Sequence, residues 1–221
     1  MGAKRVLMLV GDFVEDYEAI FPYQAVLMAG HSIDSASPGK KAGSTVVTAI
    51  HDFEGHQTYT EKRGHQFPVT IDWEKVDVAN YDALVIPGGR SPEHLQLNER
   101  VIEIVQQFFA ANKPVASTCH GGLILAVADV VKGRKCQSYP SVRPELQRAG
   151  GIWDEPTPGL DGVTVDGNLV TAAAWPGNPA WMREFLKLLA EISNHQGSKT
   201  RRKSPRREEK FKEQPYREAL M

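Results

Sequence analysis

Continuous apolar runs alternate along this chain with stretches whose apolar residues recur three and four apart, and that alternation predicts strands taking turns with helices. Residues 5–10 form the first apolar run, rich in β-branched members, and read as a buried strand. Gly11, Asp12 and Phe13 turn the chain. Residues 15–29 then carry Tyr17, Ile20, Phe21, Leu27 and Met28 at helical spacing, with Gly30 where a helix favours a terminating glycine. Residues 31–37 give a second strand, and a strand–helix–strand unit implies a right-handed crossover between parallel neighbours.

From residue 38 to 70 the pattern changes. Gly39, Gly43, Gly55 and Gly64 punctuate short runs of β character at 45–50, 57–60 and 67–71, which read as a hairpin insertion. Residues 81–86 restore the buried-strand pattern. Pro92-Glu93-His94 opens a short helix, and a second helix covers 99–111. Residues 114–118 make another short strand, since a strand start tolerates proline. A helix at 123–131, a short run at 135–138 and a helix at 142–149 follow. Asp166-Gly167 joins runs 162–165 and 168–173 as a hairpin. The last helix, 179–192, has Leu186, Leu188, Leu189 and Ile192 as its apolar face. The fold expected is α/β, a mostly parallel central sheet with helices on both faces and a β-hairpin insertion.

With 221 residues and 41% hydrophobic content, the chain fills one sizeable domain, residues 1–195. Residues 196–221 hold nine Lys/Arg against four Glu, so a tail of net charge +5 follows a globule of −6. The tail has too little apolar surface to offset its ordering entropy and reads as flexible. An acidic globule lacks the broad basic face of a nucleic-acid binder. No apolar run approaches the ~20 residues of a membrane span, and the first residues lack a signal-peptide pattern. The expectation is a cytoplasmic protein that engages neither membrane nor nucleic acid.

Candidate chemistry gathers where strand 114–118 meets its helix, at Cys119-His120-Gly121-Gly122. A residue there stands at the carboxyl end of a sheet, where open α/β sheets bind ligands. The next helix presents its positive end, which favours thiolate. A free cysteine is commonly a small buried hydrophobe, but this strand–Cys–His–Gly–Gly–helix context is that of a nucleophile elbow. Pro87-Gly88-Gly89 ends strand 81–86, and its glycines could aim N–H groups into an oxyanion site or make an ordinary tight turn. His51, Asp52, His56 and His65 in the insertion match no zinc spacing and read as surface polar residues, so no metal is assigned.

Several motifs together resemble the ThiJ/PfpI superfamily: Glu15-Asp16-Tyr17-Glu18, residues 85–90 with Pro92-Glu93, residues 116–121, 133–136 and 166–171. Residues 49–53 and 55–59 are similar to the plant tandem-domain branch that acts as glyoxalase III. The resemblance covers residues 4 to 193 and implies a flavodoxin-like sandwich shared with class I glutamine amidotransferases. It implies Cys119 as nucleophile, Glu18 as proton shuttle, Glu93 as a second acid, and His120 as an amide and imidazole donor. Gly88, Gly89 and the His120 amide would hold an oxyanion, with Gly121 at the substrate. Spacing alone does not choose between Glu15 and Glu18; the family pattern, with its acid four residues before Pro22, chooses Glu18. One departure stands out: the plant branch has Gly-His-Pro-Glu where this chain has Gly177-Asn178-Pro179-Ala180, which removes the partners an amidotransferase triad needs.

The activity implied is a cofactor-independent, glutathione-independent conversion of methylglyoxal and related 2-oxoaldehydes to 2-hydroxy acids. A PfpI-like cysteine peptidase or deglycase, and a redox-sensing protective protein without turnover, stand as alternatives. Relatives form dimers to hexamers, so self-association into a homo-oligomer is implied.

Overall fold

The computed structural model of the chain describes residues 2–196, with side chains to residue 191; the basic tail expected to be flexible lies outside the described residues, Gln196 apart. Six strands form the main sheet: β1 (Arg5–Leu9), β3 (Ser32–Ala36), β6 (Ala83–Ile86), β7 (Val115–Thr118), β10 (Val163–Asp166) and β11 (Leu169–Ala172). Their order is β10-β11-β7-β6-β1-β3, parallel throughout except for the β10–β11 hairpin. The short strand β2 (Val14–Glu15) pairs with the hairpin β4 (Thr45–Asp52) and β5 (Thr60–Pro68) as a second sheet, and β8 (Lys135–Cys136) with β9 (Ile152–Trp153) makes a third. This is the flavodoxin-like α/β arrangement with its hairpin insertion.

Alternation along the parallel strands divides the core into two layers. Leu7, Leu9, Leu84, Ile86, Val115 and Leu169 face helix α3 (Glu99–Ala110), which answers with Val101, Ile104, Val105 and Phe108. Beside it lie α2 (Ser91–Leu95), α4 (Gly122–Val127) and α5 (Arg143–Arg148). Val6, Met8, Val85, Ala116 and Val170 point the other way, onto α1 (Asp16–Met28), α6 (Asn178–Gln196), and Val46 and Phe67 of the hairpin.

The expected face of α1 is corrected, and that of α6 is extended, its Ile192 lying outside the residues whose side chains are described. Tyr17 and Met28 of α1 are 58% and 83% exposed, while Ala19, Tyr23 and Val26 fill the core. Helix α1 is apolar nearly all round, so periodicity gave no unique face, and its small residues let it lie close to the sheet. On α6 the core face is Trp181, Met182, Phe185 and Leu189, with Leu186 and Leu188 partly buried against it. The run 57–60 is loop up to Thr60, because the β4–β5 register pairs Asp52 with Thr60. The helix expected at 123–131 is shorter, ending where Asp129 takes a left-handed φ of 56°. No described helix is long and apolar enough to cross a membrane.

Candidate active site

The main sheet reverses direction of growth at β1, with β3 on one side and β6, β7 on the other. The site stands there, at the carboxyl ends of the strands. The segment after β1 brings Glu15 and Glu18, the turn after β6 brings Gly88 and Gly89, and the turn after β7 brings Cys119 and His120. An antiparallel bridge between Val14 and Gly89 ties the first two together.

Cys119 holds φ = 51°, a left-handed conformation uncommon for a residue with a side chain, and a 3-10 turn Cys119–Gly121 leads into α4. Its carbonyl accepts the Ser138 hydroxyl and the Tyr139 N–H. This is the strained strand-to-helix corner of a nucleophile elbow. Backbone N–H groups of Gly89 and His120 reach the sulfur, and His120 Nδ1 lies 3.3 Å from it. Gly121 closes the turn against the Ile86 carbonyl.

Glu18 is fully buried and its Oε2 accepts the Gly88 N–H at 2.9 Å, while Oε1 has no partner in hydrogen-bonding geometry among the described residues. Gly88, expected among the oxyanion donors, thus gives its N–H to Glu18, leaving the Gly89 and His120 amides facing the thiol. Burial holds the Glu18 carboxyl well above the carboxylate range, and the Glu15 charge adds to this; the Gly88 N–H, the Cys119 thiol and the Trp175 amide oppose it more weakly.

The thiol does not have the lowered pKa expected from the helix end. Burial pushes it up, Glu18 adds to the rise, and the two amides offset only part. The following helix is six residues long and stands behind a 3-10 turn, so its dipole is small beside the desolvation. Sulfur and carboxyl titrate as one coupled unit, and both directions favour the protonated forms. Attack on a carbonyl calls on the form in which the sulfur has lost its proton and Glu18 keeps one.

His120 is 7% exposed, and burial, helped by the His51 charge, lowers its pKa to about 4, so the ring is neutral at physiological pH. Its Nε2 faces two hydroxyls, Tyr59 at 3.4 Å and Ser141 at 3.3 Å, and no carboxylate. Aromatic rings surround it. Tyr139 stacks on His120 at 5.3 Å and Tyr59 meets it edge-on at 5.9 Å. Phe53 stacks on Trp175 at 4.7 Å. Burial, then the Cys119 charge, raises Tyr59 to about 12, so its phenol keeps its proton.

Glu93 lies apart. Its carboxylate is half exposed, 3.8 Å from Arg90, and lines a cleft of about 550 Å³ with Asp12, Lys40 and Ser91; no hydrogen bond joins it to Cys119, Glu18 or His120 among the described residues. Asn178, at the departure before α6, is buried and donates to the Tyr17 carbonyl at 3.1 Å.

Sequence reasoning treated His51 as a surface residue and gave Glu15 no role, yet they are 3% and 0% exposed. Glu15 accepts the Tyr17 N–H at the start of α1 and contacts His51 Nδ1. The alternation Ala49-Ile50-His51, buried–half-buried–buried, was the available signal; a bulge between Val47 and Ala49 shifts its phase. Tyr59, Tyr139 and Trp175 were also unassigned, since nothing in their spacing brings them to one place. His65 pairs with Asp16 at 3.1 Å, away from His51, so the insertion histidines do not converge.

The family model described as DJ-1/PfpI family matches residues 4–188. Protein DJ-1 homolog D of Arabidopsis thaliana is 53% identical over 186 residues, covering 84% of this chain and 48% of that protein. A deglycase of Pyrococcus horikoshii is 40% identical over 185 residues, covering 84% of this chain and 99% of that protein. The chain spans about half the length of the Arabidopsis relatives it matches. Among solved structures, Drosophila melanogaster DJ-1beta aligns with a TM-score of 0.65 at 20% identity, over 88% of this chain and 98% of that one, a likeness of fold.

Proposed function

The chain belongs to the DJ-1/PfpI family, and from that premise we propose that it converts small 2-oxoaldehydes to 2-hydroxy acids through a Cys119 hemithioacetal, without glutathione. The observation that carries this reading is the fully buried Glu18 carboxyl, raised in pKa and set beside the Cys119 thiol. The thiolate adds to the aldehyde carbon, and the developing alkoxide takes the Glu18 proton. Glu18, now a carboxylate, removes the proton from that same carbon, giving an enediolate whose hydroxyl proton passes to the neighbouring oxygen. Returning the proton to the neighbouring carbon leaves a thioester. Water cleaves it to the 2-hydroxy acid and restores the thiol. The Gly89 and His120 amides, already directed at the sulfur, are the donors nearest the oxygen that gains charge.

Deglycase action is the second reading, favoured by relatives of that name matched over nearly their whole length; it needs the same attack on a carbonyl-derived carbon. Amide hydrolysis fits less well. A cysteine peptidase uses a histidine oriented to carry a proton to the leaving amine, whereas His120 is held neutral with hydroxyls at its far nitrogen.

The deciding measurement is lactate formation from methylglyoxal without added glutathione. Wild type and Cys136→Ala should produce lactate, and Cys119→Ala none. Lactate from Cys119→Ala, or its absence with wild type, would refute the reading.

A further inference from the structure

His51 lies outside the reacting pair, yet both of its ring nitrogens face carboxylates. Nδ1 contacts Glu15 Oε2, and Nε2 stands 3.1 Å from Glu61 Oε2. A neutral imidazole has one N–H and can donate to one carboxylate; donating to both requires the imidazolium. The ring is 3% exposed and Glu15 is 0% exposed, so little water is at hand to replace either contact.

We infer that His51 is a positioning residue for the Cys119–Glu18 pair: clamped as an imidazolium between Glu15 and Glu61, it balances the buried Glu15 charge and holds the hairpin loop over the thiol. The inference rests on the functional reading only in taking Cys119 and Glu18 as the reacting groups.

Two links carry it. The first is charge. From the segment before α1, Glu15 faces His51, and the Glu15 charge in turn acts on Glu18 and on Cys119. From β5, Glu61 faces it, itself held by Arg90 Nη1 at 3.3 Å. The turn after β7 contributes His120, which feels the His51 charge. Arg90 also faces Glu93 at 3.8 Å, so three carboxylates share two cations, and losing the imidazolium proton leaves a further anion uncompensated near the thiol. Burial works against the charged ring, but the Glu15 and Glu61 contacts outweigh it and hold His51 above the ordinary histidine value.

The second link is mechanical. Between His51 and Glu61 the chain makes the loop that carries Phe53 and Tyr59. Tyr59 packs edge-on against His51 at 4.9 Å and reaches His120 with its hydroxyl. Phe53 lies on Trp175. Fixing both ends of that loop fixes the aromatic roof of the site.

The test is the rate of Cys119 alkylation by iodoacetamide from about pH 5 to about pH 9, spanning histidine titration. It is read by mass spectrometry on the Cys119 peptide and needs no substrate. His51→Gln keeps one donor but loses the charge. Burial puts the thiol midpoint above this window, so the readout is the rate at each pH. Above the ordinary histidine value, where the clamped ring keeps its charge, that rate should fall about three- to tenfold in the variant, less than the roughly ten- to thousandfold expected of a charge in direct contact. Glu61→Gln removes one carboxylate at a partly exposed position, so the inflection due to His51 should move to lower pH. Profiles that superimpose for wild type and both variants overturn the inference. Should His51→Gln fail to fold by circular dichroism, the Glu61→Gln profile decides alone. Methylglyoxal turnover is measured in parallel. A shifted alkylation profile in a protein that makes no lactate upholds the inference and overturns the functional reading.

Discussion

A methyl group at position 88 would have nowhere to go. Built on the backbone, it stands 2.5 Å from Cys119 Cβ, 2.5 Å from Glu18 Oε2 and 2.8 Å from the His120 amide nitrogen. Gly88→Ala should therefore abolish turnover, and overpacking should cost about 1–3 kcal/mol of stability; lactate assay and thermal melting check the two parts. Glu18→Gln tests the chemistry without the steric load. The amide keeps the shape but cannot exchange a proton, and general acid–base groups contribute about 10²- to 10⁴-fold. A fall in kcat of that order is expected, with KM changed little. The family pattern that chooses Glu18 implies a much smaller effect for Glu15→Gln. Its burial against His51 now predicts a change in pH profile in addition to any change in rate.

At the scale of elements, the β4–β5 hairpin is the part of the fold that belongs to this site rather than to the sheet. Its base docks through Val46 and Phe67 into the same layer as α1 and α6, and its far end lays Phe53 and Tyr59 over His120 and Trp175. Phe53 is 49% exposed and touches the rings of Trp175 and Tyr139. It is therefore a cover rather than part of the reacting set. Phe53→Ala should raise the Cys119 alkylation rate and raise KM for methylglyoxal while leaving kcat within a factor of about three, the pattern of a lost uniform binding contact. Steady-state kinetics distinguish this from a fall in kcat with KM unchanged, which would place the ring in the chemistry.

For the whole molecule, the buried titratable groups give stability a pH dependence whose sign can be worked out. His120 falls from 6.5 to about 4 on folding, so the unfolded chain takes up its proton first as the pH drops. Its contribution is present above pH 6.5 and lost as pH falls toward 4, roughly 3 kcal/mol in all. Glu15 and Glu18 are raised from 4.5 by burial and act in the opposite sense, losing stability as pH climbs from that value. Urea unfolding of wild type and His120→Gln at a series of pH values isolates the histidine: their difference should shrink between pH 6.5 and 4. A constant difference would show that the ring is not held neutral. As for what could be read in advance, the parallel strands, the β10–β11 hairpin and the Cys119 corner were all legible in the chain. Each is set by local rules: continuous apolar runs, an Asp-Gly turn, and glycines following a strand end. Deciding which acid meets the thiol took the family pattern, and the fold then brought Glu18 to the Gly88 amide. The faces of α1 were not legible, because an all-round apolar helix takes its orientation from its neighbours. The thiol's raised pKa and the Glu15–His51–Glu61 clamp were not legible either. Desolvation and ion pairing depend on which distant residues exclude water, and that was decided only when the hairpin closed over the ends of the strands.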